Sequence, residues 1–226
     1  MMKKIDDFFK LPVLEDFYDY RKSVHFAFFA VYAVVMFSFM TFSPNPANAT
    51  LIAAPLMFFI LLYLYRKVLL NDIKLFKKHY EQYITFSLAG AVLIIALNFL
   101  GNFINVWIEG AAPNQDAAVE AFWRSPILMA AYITIVVPIS EELMFRRAIR
   151  GMTKSKLVYY SLSALLFGLA HIIINFEFPY SFAFIFTYAL PGLGFAFIYD
   201  KSKNIYCPIF THLIINVMSV IGLIFT

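Results

Sequence analysis

Seven long apolar runs, separated by polar or charged connections, constrain this chain more than any other feature. They cover about 24–42, 50–64, 84–108, 126 into an acidic stretch near 141, 157–174, 180–199 and 205–225. A bilayer core about 30 Å thick is crossed by roughly 20 apolar residues in a helix, and lipid offers no partner for unsatisfied backbone groups. Charged residues make up only 14% of the chain, against about a quarter in soluble domains. The chain therefore reads as an all-α, polytopic transmembrane bundle of about seven spans in a cell membrane. Its surroundings are the lipid bilayer, and nothing in it suggests a nucleic-acid partner.

Basic residues set the orientation, because cytoplasmic loops are enriched in Lys and Arg. Five precede the first run, five fall between Arg66 and Lys78, five between Arg146 and Lys156, and two are Lys201 and Lys203. Only Arg124 lies on the other side, so the expected topology is N-terminus in and C-terminus out.

Residues 1–23 mix charges with Phe and Tyr and read as an interfacial helix. Ala47-Asn48-Ala49 has the small-x-small form of a signal-peptidase site, but the apolar core before it is too long for a signal peptide. The segment from Asp72 to Gln82 reads as an amphipathic surface connection, Trp107 as an interfacial anchor, and 109–124 as a long loop. Ser125-Pro126 then supplies a helix N-cap followed by proline at the first helical position. Pro138, Pro191-Gly192 and Pro208 are expected to bend the fourth, sixth and seventh spans.

Against this apolar background, Pro138-Ile-Ser-Glu141-Glu142-Leu-Met-Phe-Arg146-Arg147 is costly. Each charge near the middle of a membrane helix costs roughly 2.5–3.5 kcal/mol on insertion scales unless it is paired or hydrated. Glu142 and Arg146 stand four apart with the acid first, the favourable order for a structural ion pair. Glu141 points about 100° away from Glu142, which leaves it for chemistry. Two of the four histidines lie inside spans, His171 and His212, while His25 and His79 are flanked by charge and read as solvated. At about 1.5 Å per residue, Glu141, His171 and His212 fall at similar depths, about 12–20 Å from the cytoplasmic side. Asn216 shares a face with His212, and Phe167 shares one with His171. A carboxylate, two imidazoles and a carboxamide converging in a dry cavity can activate water and hold an oxyanion.

Glu141-Glu142-x-x-x-Arg146, Phe167-x-x-x-His171 and His212-x-x-x-Asn216 resemble, in order and spacing, the three motifs of the CAAX prenyl protease and bacteriocin-processing family of intramembrane proteases, also called the Abi family. The resemblance covers 125–226, a catalytic core of four spans, and leaves 1–124 as an interfacial segment with three accessory spans. It implies an endopeptidase in which Glu141 activates water with His171 assisting, His212 and Asn216 stabilise the oxyanion, and Glu142 with Arg146 holds the geometry. The substrate it implies is a peptide or protein at the membrane: a prenylated C-terminus, a bacteriocin or a pheromone precursor. Members are often called metalloproteases, and His171, His212 and Glu141 could ligate zinc with a water position left open. A glutamate base without metal fits the same residues.

Other chemistries fit worse. There is no Gly-x-Ser-x-Gly elbow, Asp200 lacks a second aspartate, and the single cysteine, Cys207, lies far around the helix from His212. The alternative of a different class is a catalytically silent membrane scaffold or bacteriocin-immunity protein, and a transporter is a third.

Overall fold

A computed structural model describes residues 46–104, 113–173 and 180–225, together with Leu11 and helical positions among 25–34. The expected interfacial helix over 1–23, most of the first span and Trp107 lie outside the described residues. Every secondary-structure element among the described residues is helical: α1 (Pro46–Lys78), α2 (Tyr80–Ile104), α3 (Pro113–Arg124), α4 (Pro126–Met152), α5 (Lys156–Ile172), α6 (Tyr180–Ala183), α7 (Ile185–Ser202) and α8 (Tyr206–Phe225).

Three of these, α2, α4 and α8, are long and apolar enough to cross a membrane, and most of each apolar stretch faces outward. Val92, Phe99, Ile127, Leu157 and Phe225 are among the large side chains exposed on the surface. Apolar surface on this scale needs lipid to cover it, so this is a membrane protein.

The interior is built around α7, which packs on α5 and α2, while α8 packs on α2. Small residues permit the close approaches. A Cβ on Gly192 would meet Phe167 and the backbone of Ala164, and one on Gly194 would strike Leu97 and Ile94. Buried Leu143, Phe145 and Ile149 of α4 meet Tyr159 and Phe167 of α5 and Phe195, Ile198 and Tyr199 of α7 in one core.

Several local expectations change. The segment from Asp72 to Gln82 is amphipathic and largely a continuation of α1, which runs unbroken to Lys78: Lys74, Lys77 and Lys78 are exposed, while Asp72 and Phe76 on its inner face are buried. Phe76 stacks on Tyr83 and Phe210, so the apolar side of the amphipathic pattern packs inward. Most of the long loop, from Pro113 to Arg124, is α3. The sixth span breaks at Phe184, between α6 and α7, whereas Pro191 lies inside an unbroken α7. Pro208 sits in the first turn of α8, where a missing N–H removes no helix bond, so it bends nothing. His25 is buried rather than solvated, with Nδ1 2.9 Å from the Tyr65 hydroxyl and its ring packed against Gly151.

At Pro138 the helix widens instead of breaking. Two π-helical turns, Tyr132–Val136 and Leu143–Ala148, bracket a short α-helical stretch, Val137–Glu142. Wide turns of this kind absorb a defect in the bonding ladder without ending the helix.

Candidate active site

The widening governs how the site is assembled. Val137 N–H bonds back five residues to the Tyr132 carbonyl. The next bond in that register would run from residue 138 to the Ile133 carbonyl, but residue 138 is proline and has no N–H. Asn216 of α8 fills the vacancy, its Nδ2 donating to the Ile133 carbonyl at 2.8 Å. The proline thus opens a backbone acceptor in α4, and Asn216 docks α8 onto it.

One turn further on, Glu142 and Arg146 are fully buried, with Nε 3.0 Å from Oε2. The guanidinium lies 4.5 Å over the Phe167 ring and 5.1 Å over Phe195, an aromatic wall that adds cation–π attraction in place of water. Glu142 has a second partner that sequence reasoning missed. Its Oε1 is 2.9 Å from His212 Nδ1, so the same carboxylate that holds Arg146 also orients His212.

That contact turns His212 Nε2 toward the other acid, 3.8 Å from Glu141 Oε2. His171 reaches the same carboxylate from α5, with Nε2 3.9 Å from Oε1. Its Nδ1 is 2.8 Å from the Phe167 carbonyl, an acceptor, which assigns the proton to Nδ1 and leaves an Nε2 lone pair facing Glu141. Glu141 keeps 22% of its side chain exposed and His171 16%, so this edge of the cluster is open while Glu142 and Arg146 are sealed. Glu141, His171, His212 and Glu142 therefore come together, whereas Asn216 is engaged with α4.

Two aromatic residues that sequence reasoning passed over fix the imidazoles. Tyr188 stacks on His171 at 4.7 Å and Phe195 stacks on His212 at 4.6 Å. They stand seven apart on α7, two helical turns along one face, a spacing that could have flagged them beside Phe167. Cys207 is buried and its thiol faces the Tyr83 carbonyl at 3.9 Å. Asp200 is surrounded by Arg150, Lys156, Lys203 and the Tyr160 hydroxyl.

Each imidazole has one nitrogen fixed by an oxygen acceptor and the other turned to Glu141, as in many metal-bound histidines. Their Nε2 atoms stand 3.9 and 3.8 Å from the Glu141 oxygens, and among the described residues the gathered donors do not form a metal-binding group.

Residues 123–218 match the family model described as type II CAAX prenyl endopeptidase Rce1-like. Among curated proteins, the chain is 28% identical over 144 residues to the Bacillus subtilis (strain 168) protein named "Putative membrane peptidase YdiL", a match covering 61% of this chain and 55% of that protein. It is 27% identical over 135 residues to UPF0177 protein YxdF of Lactococcus lactis subsp. lactis (strain IL1403), covering 58% of this chain and 72% of that one. The match thus spans about half the length of the peptidase relative. No solved structure matches the chain. The similarity that the three motifs carry is therefore a finding: over residues 123–218, which hold all of them, the chain matches the Rce1-like type II CAAX prenyl endopeptidases.

Proposed function

We propose that this chain is an intramembrane endopeptidase of the CAAX protease and bacteriocin-processing type, with Glu141 as the base that activates water. The observation that carries the reading is the convergence of both Nε2 atoms on one partly open carboxylate.

A water held between Glu141 and the His171 lone pair loses a proton to Glu141 as its oxygen attacks the scissile carbonyl carbon. In the same step His212 acts in its imidazolium form, with Glu142 as the counter-ion on Nδ1. In that form it keeps one N–H on Glu142 and offers the other to the oxyanion. Asn216 has a second amide hydrogen beyond the one given to Ile133, and that hydrogen is its means of helping. Glu141 then passes its proton to the departing amine, the C–N bond breaks and the carboxyl product forms.

In the same reading residues 125–226 form the catalytic core, and about seven spans place the site toward the cytoplasmic side with the C-terminus outside. Substrates are peptides or proteins at the membrane, such as a prenylated C-terminus or a bacteriocin or pheromone precursor. A silent scaffold has less support, because the acid, both imidazoles and the carboxamide are all present. Comparative peptidomics of membranes carrying wild type or Glu141→Gln tests the proposal. The variant retains the protein level and loses at least 100-fold in cleavage, and cleavage at wild-type rate would end the glutamate mechanism.

A further inference from the structure

We propose that Asp72, on α1 and outside the family-matched segment, is a positioning residue for the helix that carries His212 and Asn216. This rests on the proposed reading of the site.

The Asp72 side chain is almost fully buried, where a carboxylate is tolerated only with strong partners. Its Oδ2 accepts the Ile205 N–H at 2.8 Å. The Ile205 carbonyl in turn accepts from Ile209 N at 3.2 Å, so Ile205 is the last residue before α8 closes its own ladder. Asn204 completes a reciprocal arrangement: its Nδ2 donates to the Asp72 carbonyl at 2.9 Å, and its Oδ1 accepts the Tyr206 N–H at 3.0 Å. A residue 133 positions away in sequence thus does for α8 what a local N-cap does elsewhere, placing a carboxylate at the positive end of the helix.

Two further contacts make the cap a lever. One turn along α1, Phe76 stacks on Phe210 at 5.1 Å and meets Tyr206 at 6.1 Å, so α1 grips the first turns of α8 at two levels. Arg147 of α4, buried beside Tyr65 of α1, supplies the positive charge that acts on Asp72. Its neighbour Arg146 turns the other way, to Glu142. Asp72 therefore ties α1 to the start of α8, the helix that carries His212. His212 lies about 10 Å beyond Ile205 along α8, so a shift at the cap is carried to a ring that must stay within hydrogen-bond reach of Glu142. Misplacements of about 1 Å cost roughly 100-fold in rate.

The test uses the full chain in detergent and needs no substrate. Amide hydrogen exchange over 205–209 reads the cap, and 15N-histidine NMR, with signals assigned by His171→Gln and His212→Gln, reads the rings. Asp72→Ala should speed exchange over 205–209 about tenfold, the scale of a lost cap, and shift the His212 signal while His171 stays put. Asp72→Asn keeps an oxygen acceptor and should resemble wild type. Should Asp72→Ala fail to accumulate, Asn204→Ala removes the reciprocal bonds and should give the same pattern. A folded Asp72→Ala or Asn204→Ala protein with unchanged His212 and unchanged exchange overturns the proposal, as does an Asp72→Asn protein damaged as severely as Asp72→Ala. Cleavage by Glu141→Gln at the wild-type rate would end the glutamate mechanism, whereas exchange and imidazole signals in the Asp72 variants are read without any cleavage, so the two failures are distinguishable.

Discussion

Glu141 and Glu142 differ by one position and by what surrounds them, and His212 touches both. Helix geometry read from sequence separates the acids by about 100°, but it cannot show that an imidazole from a distant helix bridges them. This changes what Glu142 variants report. Glu142→Gln leaves Arg146 a buried, unbalanced charge, a loss of roughly 3–5 kcal/mol that lowers the level of folded protein. Adding Arg146→Met removes both charges and should restore the level, as measured by quantitative blotting and detergent thermal stability. Activity should not return with it, because His212 still lacks its carboxylate partner. Recovery of full cleavage in the double variant would show that Glu142 serves only Arg146. The zinc question also sits at this scale. A glutamate base needs no metal, so on the proposed mechanism purified protein is expected to retain little zinc and to keep its activity in a strong chelator. Stoichiometric zinc, lost together in His171→Ala and His212→Ala, would require a metal mechanism.

At the scale of elements, proline and acidic residues were visible in the sequence, but their effects were set by partners far along the chain. Pro138 was legible as a defect. That the helix would widen into π turns, and that Asn216 would bond the freed carbonyl, depends on a helix 83 positions away. Pro191 read as a bend because proline removes a helix hydrogen bond, yet it lies inside an unbroken α7 and the glycines beside it serve close packing on α5 and α2. Asp72 read as surface because charge usually marks it, and only the amino end of α8 explains its burial. Burial, outweighing the Ile205 N–H and Arg147, pushes the Asp72 carboxyl up from its ordinary 3.8 to about 6. The folded protein therefore holds this proton more tightly than the unfolded chain does. The contribution to stability is full below about pH 4 and is lost as pH rises toward 6, a change of about 3 kcal/mol for two pH units. Thermal unfolding in detergent from pH 4 to 7 should show this decline in wild type and a flatter profile in Asp72→Asn. Equal profiles would mean that Asp72 titrates normally.

For the whole molecule, the sequence made plain that the chain is helical and lives in a membrane, because apolar runs and sparse charge leave no other economy of backbone bonds. It also offered an orientation that residue contacts alone do not address, since helix packing looks the same whichever end faces the cytoplasm. The basic residues do distinguish the ends, with 17 of 18 assigned to one side by the expected spans. In the structure Lys154, between α4 and α5, and Lys201, near the end of α7, are exposed, as single-cysteine labelling requires. The native Cys207 is buried and will give little background. Cysteines placed at Lys154 and Lys201 should react with an impermeant maleimide only after the cytoplasmic face is opened. One placed at Pro113, at the start of α3, should react in intact cells. The reverse pattern would put Glu141 on the outer side and exclude substrates presented from the cytoplasm. Labelling of Lys154 and Lys201 from opposite faces would remove one crossing between them, and with it the seven-span count.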